Sequence, residues 1–180
     1  MSTADIRRAF RDSPASTLLS TGFGAGLFPL APGTAGSALA LVLAWVFGHA
    51  LSSAGGSLTA PVGLLMSGLL IGLAGVPLST RAARALRSRD PGCIVIDEIA
   101  GQLLASAPVP LFRYFSPRME ACAWVASFLL FRLFDIWKPG VIHRLQDLPE
   151  GWGIVADDIA AGAAAAVATA LLAGFVFAWP

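Results

Sequence analysis

SALALVLAWVFGHALSSA, residues 37–54, contains no Asp, Glu, Lys or Arg. It lies inside a longer run, residues 13–80, that also lacks all four. A helix on a water-soluble protein carries charge on its exposed face. A bilayer removes that need and makes charge expensive. Three more runs are equally bare: residues 99–112, 121–131 and 159–180. Over the 180 residues only 13% are charged and 56% are hydrophobic, against about 25% charged in a typical soluble domain. The pattern predicts an all-α, multi-pass membrane bundle in one domain, residues 1–180. It excludes a disordered chain and an ordinary soluble enzyme. The net charge is +1 and Lys138 is the one lysine, so no basic stripe exists to neutralise a nucleic-acid backbone.

A span needs about 20 apolar residues rising about 1.5 Å each. Residues 37–54, 60–78, 121–137 and 159–179 fit, and residues 94–112 form a fifth candidate that begins on Asp97 and Glu98 and ends near Pro108 and Pro110. Four to five transmembrane helices are therefore expected. Arg7, Arg8 and Arg11 form a basic head in a segment, residues 1–20, expected in the cytoplasm. No continuous apolar run follows at once, so the head does not read as a cleavable signal. With the N-terminus inside, the inner segments hold Arg7, Arg8, Arg11, Lys138 and Arg144, with Arg81, Arg84, Arg87 and Arg89 between the second and third spans. The outer segments hold Arg113 and Arg118. That asymmetry orients the bundle in a cytoplasmic membrane. It puts Cys93 inside and Cys122 outside, where they cannot pair, and both read as packing residues.

Before the first span comes TGFGAGLFPLAPGTAG, residues 21–36. Its glycines and prolines cannot sustain one regular helix, so a re-entrant or interfacial loop is expected. Backbone amides around Gly33, with the Thr34 and Ser37 hydroxyls, offer a phosphate cradle at a helix N-terminus.

The chemistry lies in the acids. Asp97 and Glu98 open the third span, Asp135 closes the fourth, and Asp157 and Asp158 open the fifth. The topology brings all five to one membrane face. Ionised groups within membrane segments are costly and mark function, and carboxylates crowded together call for a cation. Oxygen ligands without a His or Cys cluster point to Mg²⁺ or a similar hard ion. The bland alternative is that the acids cap helix N-termini. It accounts for four of them but not for Asp135, which sits where the dipole disfavours it. Gly101 and Gly162, each four residues beyond an acid, leave room for close helix approach. Lys138 is placed to neutralise a phosphate or to pair with Asp135. Arg132, one turn before Asp135, is equally suited to an ion pair or to ligand binding. His49 reads as structural.

No Cys is followed six residues on by Arg, no DxDx(T/V) motif occurs, and no paired histidines are present. Metal-assisted hydrolysis survives these exclusions, with water or an Asp as the nucleophile. A phosphatidyltransferase acting on CDP-activated lipids would need a DGxxAR…GxxxDxxxD spacing that is absent. A cation transporter would place its carboxylates near the midplane at internal repeats, and no repeat is visible.

GFGAGLFPLAPGTAGS (residues 22–37), IVIDEIAGQ (94–102), FRLFDIWKPGVI (131–142) and GIVADDIAAG (153–162) together closely resemble the phosphatidylglycerophosphatase A family. The resemblance implies a bacterial, multi-pass, Mg²⁺-dependent enzyme of the inner membrane. Such an enzyme removes the terminal phosphate of phosphatidylglycerophosphate to give phosphatidylglycerol. The family's conserved acids map onto Asp97, Glu98, Asp135, Asp157 and Asp158, the expected metal set. From the residues themselves, Asp97, Glu98, Asp135, Asp158 and Lys138 are expected to be catalytic, and Gly33, Thr34, Ser37, Arg132 and Lys138 to bind substrate. The family often reads KPWPIR, whereas here Lys138 is followed by Pro-Gly-Val-Ile-His. If that arginine meets the head group, His143 or Arg144 would have to replace it.

Overall fold

The computed structural model describes residues 3–178. Among these the chain is helical, with no strand: α1 (Thr3–Asp12), α2 (Pro14–Ser20), α3 (Pro32–Ala54), α4 (Thr59–Leu86), α5 (Ile96–Ser106), α6 (Pro117–Trp137), α7 (Val141–Leu145) and α8 (Gly151–Ala178). Short 3-10 helices cover Ala25–Leu27 and Val109–Tyr114. Three of the described helices are long and apolar enough to cross a membrane: α3, α4 and the Gly151–Leu172 part of α8. α6 has the length, but Arg118, Glu120, Arg132 and Asp135 load both its ends with charge.

Along α3 and α4 the inward face is built mostly from small residues and the outward face from large ones. Ala40 and Ala44 of α3 are buried, whereas Val42, Trp45 and Val46 beside them are exposed. α4 buries Leu64, Gly68, Gly72 and Gly75 along one face while Leu70 and Leu73 point outward. This arrangement suits helices solvated by lipid. Association there gains little from hiding apolar side chains, and close packing of small residues supplies the contact. A Cβ at Gly68 would stand 2.9 Å from the Ala100 carbonyl oxygen, and one at Gly72 would stand 2.8 Å from Ile159 Cδ1.

Several boundaries differ from the sequence reading, each for a local reason. α3 begins at Pro32 rather than residue 37, because proline at the first helical position loses no bond it would otherwise make. Only residues 21–31 therefore lie outside α-helix there, and Ala25–Leu27 of these form a 3-10 turn. Gly22 and Gly24, with φ of 55° and 98°, make the left-handed turns there that glycine tolerates best. The segment 94–112 is not one continuous helix. α5 runs for 11 residues, about 16 Å at the standard rise. The Pro108–Pro110 pair then converts the chain to 3-10 geometry. That continuation still reaches the far end of the bundle, where Pro110 Cγ would lie 3.5 Å from a Cβ on Gly48 of α3. α8 starts at Gly151, eight residues before the expected apolar run; the end of that run, Trp179, lies outside the described residues. Neither cysteine forms a disulfide, and Cys122 is exposed on α6, so only the buried Cys93 packs inside.

Candidate active site

One end of the bundle gathers the start of α3, the end of α4, the starts of α5 and α8 and the end of α6. The opposite end is marked by His49 of α3, whose Nε2 lies 3.7 Å from Glu120 Oε1 of α6. His49 Nδ1 lies 3.1 Å from the Trp45 carbonyl, a structural pairing far from the acids. At the first end a cavity of about 900 Å³ opens. Asp97, Glu98, Asp135, Lys138, Asp157 and Asp158 all line it.

The crossing of α5 and α8 sets the carboxylate spacing. A Cβ on Gly162 would collide with the Gly101 carbonyl oxygen, and one on Gly101 would lie 2.6 Å from the Asp158 carbonyl oxygen. The helices touch backbone to backbone, so the acids one turn earlier on each, Asp97 and Asp158, face each other. One oxygen each from Asp97, Glu98 and Asp158 can be chosen with all three within 4.8 Å of one another. On the other side, the Val95 amide donates to the Ser20 carbonyl at 2.8 Å, tying the start of α5 to the end of α2. The missing side chain of Gly33 lets α3 press against Glu98, whose carboxylate a Cβ there would strike.

The five acids divide into two kinds. Asp135 is bound by Arg132 at 2.6 Å, with Lys138 at 4.0 Å. Asp157 is bound by Lys138 and also accepts the Asp158 amide at 3.1 Å. Asp97 Oδ1, Glu98 Oε2 and Asp158 Oδ2, by contrast, are buried without a hydrogen-bond partner. A buried, unpartnered carboxylate oxygen is costly. Three such carboxylates close together, all hard oxygen donors, fit a divalent cation such as Mg²⁺. Asp157 and Asp158 stand beyond the first turn of α8, which contains no acid, so helix capping does not explain them. Asp97 and Glu98 do lie in the first turn of α5, yet no side-chain cap is made there.

Lys138 ends α6 in a left-handed conformation, φ 46°. Burial alone would lower the pKa of its ammonium. The Asp157 carboxylate it bonds, with Asp158 and Asp135 nearby, outweighs burial and raises it above the ordinary lysine value. It therefore stands as a fixed positive charge on the cavity wall.

The other expected substrate ligands are placed differently. Ser37 is fully buried: its hydroxyl donates to the Gly33 carbonyl at 2.9 Å and accepts from Arg132 Nη1 at 3.3 Å. Gly33 faces Glu98, so a carboxylate already occupies the position proposed for a phosphate. Thr34 is exposed and does not line the cavity. Arg132 supports Asp135 from behind and does not line it either. His143 is held by Gln146 at 2.6 Å, and neither it nor Arg144 lines the cavity. The basic wall comes instead from Arg84, Arg87 and Arg89 at the end of α4, with Arg84 ion-paired to Glu150. Sequence reasoning counted these arginines as topological markers only. Their place between two apolar runs, eight residues or more before Asp97, was the available signal.

A family model described as phosphatidylglycerophosphatase A matches residues 18–173. The chain is 35% identical over 147 residues to phosphatidylglycerophosphatase A of Escherichia coli, covering 81% of this chain and 76% of that one. It is 34% identical over 146 residues to the Haemophilus influenzae protein of the same name, covering 80% of each. It is also 34% identical over 157 residues to a putative phosphatidylinositol-3-phosphatase of Bacteroides thetaiotaomicron, covering 84% of this chain and 89% of that one. No solved structure matches. The family match takes in all four motifs and every carboxylate of the cavity: the chain belongs to the phosphatidylglycerophosphatase A family.

Proposed function

We propose that this protein hydrolyses the terminal phosphate monoester of phosphatidylglycerophosphate, releasing inorganic phosphate and phosphatidylglycerol at the cytoplasmic face of a bacterial inner membrane. One observation carries the chemistry: Asp97, Glu98 and Asp158 bring one carboxylate oxygen each within 4.8 Å of the others in the cavity shared with Lys138, and each has a buried oxygen without a hydrogen-bond partner. These three residues would hold Mg²⁺, which supplies positive charge to the phosphoryl oxygens and makes water a stronger nucleophile.

The chain's own residues do the rest. Lys138, held by Asp157 and Asp135, neutralises an equatorial phosphoryl oxygen, a role in which preorganised charge counts most. Arg132 and Ser37 fix Asp135, so that carboxylate is a positioning group rather than an open ligand. The P–O bond to glycerol breaks as the new P–O bond forms. Water's proton passes to a cavity carboxylate, and the leaving oxygen ends as the alcohol.

Membrane placement follows the same reading. α3, α4, α6 and α8 cross the bilayer, and α5 with its 3-10 continuation crosses as an interrupted fifth segment. The irregular segment 21–31 lies at the interface, where exposed Phe23, Phe28 and Leu30 meet lipid. The arginines at the cavity end favour the cytoplasmic side.

The deciding experiment incubates purified protein with phosphatidylglycerophosphate, with Mg²⁺ or with EDTA, and follows phosphate release. The proposal expects release with Mg²⁺, none with EDTA, and none from Asp97→Asn or Asp158→Asn. Wild-type turnover by either variant overturns it. The Bacteroides relative's name makes phosphatidylinositol 3-phosphate a second substrate for the same assay. A higher kcat/KM on that lipid would reassign the head group and keep the site.

A further inference from the structure

The substrate proposed above carries two phosphates: the monoester that is cleaved and the diester that joins the glycerol head to the lipid. The carboxylates and Lys138 account for the first. Nothing yet described meets the second.

The wall of the cavity contributed by the end of α4 is cationic. Arg84 is committed to Glu150. Arg87 and Arg89, lining the same cavity, have no ion-pair or side-chain hydrogen-bond partner among the described residues. Asp90 and Asp147 also line this wall, yet neither takes up either guanidinium.

Arg87 occupies an unusual position. The Arg87 amide donates to the Arg84 carbonyl and the Ser88 amide to the Ala83 carbonyl, both at 3.1 Å. This pair of bonds is a Schellman motif with Arg87 in its left-handed place, φ 54°. Glycine holds that place without a Cβ clash and is the residue most often found there. The helix dipole favours a cation near a C-terminus, but Arg84 already supplies one inside the last turn without the conformational cost. The dipole therefore does not explain an arginine at 87. A strained residue whose charge is unspent and lines the catalytic cavity marks a binding position.

We propose that Arg87, assisted by Arg89, binds the bridging phosphodiester of the lipid substrate while the carboxylate end of the cavity holds the monoester. This rests on the function proposed above and adds to it how the head group is selected. A guanidinium recognises a diester by a forked pair of N–H donors. Such a site reads the diester and not the polyol between the two phosphates.

The test uses the whole detergent-solubilised protein and the Arg87→Gly variant, titrated with short-chain phosphatidylglycerol, which has the diester and lacks the monoester. A parallel titration uses inorganic phosphate with Mg²⁺. Arg87→Gly is expected to bind phosphatidylglycerol about tenfold more weakly, the scale of one lost charge-assisted contact, and phosphate within about twofold of wild type. Arg87→Lys should fall between. The glycine variant should melt no lower than wild type, since glycine relieves the left-handed strain; Arg87→Asn serves as a second variant if it does not fold. Undiminished phosphatidylglycerol binding by Arg87→Gly overturns the proposal, as does equal weakening for phosphate or no binding by wild type. A separate turnover assay keeps the two readings apart. Phosphatidylglycerol binding that depends on Arg87, with no phosphate release from phosphatidylglycerophosphate, would sink the assigned reaction and leave the diester site standing.

Discussion

Gly101 and Gly162 meet across the α5–α8 crossing with no side chain between them: a Cβ on Gly162 would run into the Gly101 carbonyl oxygen. One turn earlier on each helix stand Asp97 and Asp158, whose oxygens come within 4.8 Å together with one from Glu98. The contact and the carboxylate spacing are therefore one geometric fact. Gly162→Ala must push the helices apart, because its neighbour is backbone and cannot rotate away. Overpacking of this kind costs about 1–3 kcal/mol. We expect a lower melting temperature, unchanged helical circular dichroism and phosphate release reduced about tenfold or more, since an ångström of misplacement at a reacting centre is costly.

Asp97→Asn and Asp158→Asn should separate activity from stability. Each removes one of three crowded carboxylates, each with a buried oxygen that has no hydrogen-bond partner, so like-charge repulsion falls while the packing stays. Without divalent cation, both variants should melt at or above the wild-type temperature while phosphate release is lost. A variant that melts well below wild type in EDTA would show these carboxylates to be structural.

Mg²⁺ itself should stabilise the wild type. A ligand that binds only the folded form adds about 2.7 kcal/mol at a hundred times its dissociation constant. A melting temperature that rises with Mg²⁺ in wild type, and stays flat in Asp97→Asn and Asp158→Asn, is the expected pattern. Calorimetry in matched detergent measures it.

Lys138 and Asp157 form a pair whose acid is almost completely buried, with 4% of its side chain exposed, while the lysine side chain is 26% exposed. Lys138→Met leaves that acid without its cation, and removing one partner of a buried pair costs about 3–5 kcal/mol. The lysine's partial exposure puts the expectation at the lower end of that range. Adding Asp157→Asn should restore most of the lost stability and none of the activity. Chemical denaturation of the two single variants and the double variant, with turnover alongside, completes the cycle.

Thr34→Ala should leave kcat/KM within about twofold, the scale of a surface change away from special features, because Thr34 is exposed outside the cavity. Ser37→Ala, which removes the hydroxyl that Arg132 donates to, should weaken activity moderately through Asp135. Steady-state kinetics on the two variants distinguish the neighbours.

The acids were legible in the sequence because charge is scarce there: an Asp beside a charge-free run has few reasons to exist other than function. Their division into three open and two paired carboxylates was not legible. It depends on where Arg132 and Lys138 reach, and spacing along the chain leaves both outcomes available. Helix capping looked adequate for Asp157 and Asp158 until α8 proved to start at Gly151. Hydropathy hides such a beginning, since Gly151–Val155 is part of the helix but precedes the apolar run. The short α5 was foreshadowed by Pro108 and Pro110, which weaken a helix without saying where the chain goes next. The arginines at the end of α4 were visible throughout. Positive-inside bias accounted for them so fully that a second role had no residual signal to announce it.

The small-residue interior has a consequence for how this protein can change over time. Where α4, α5 and α8 touch through Gly68, Gly72, Gly101 and Gly162, backbone carbonyls and the tightly placed Leu104, Ile159 and Phe131 side chains leave almost no room to compensate a substitution. Drift is shut out of the inside and left to the outside, where Val42, Leu70, Leu129 and Leu171 are exposed and one large apolar residue serves as well as another. Such a protein can follow its host into thicker, thinner or colder bilayers by rewriting its lipid-facing surface while the catalytic geometry stays as it was.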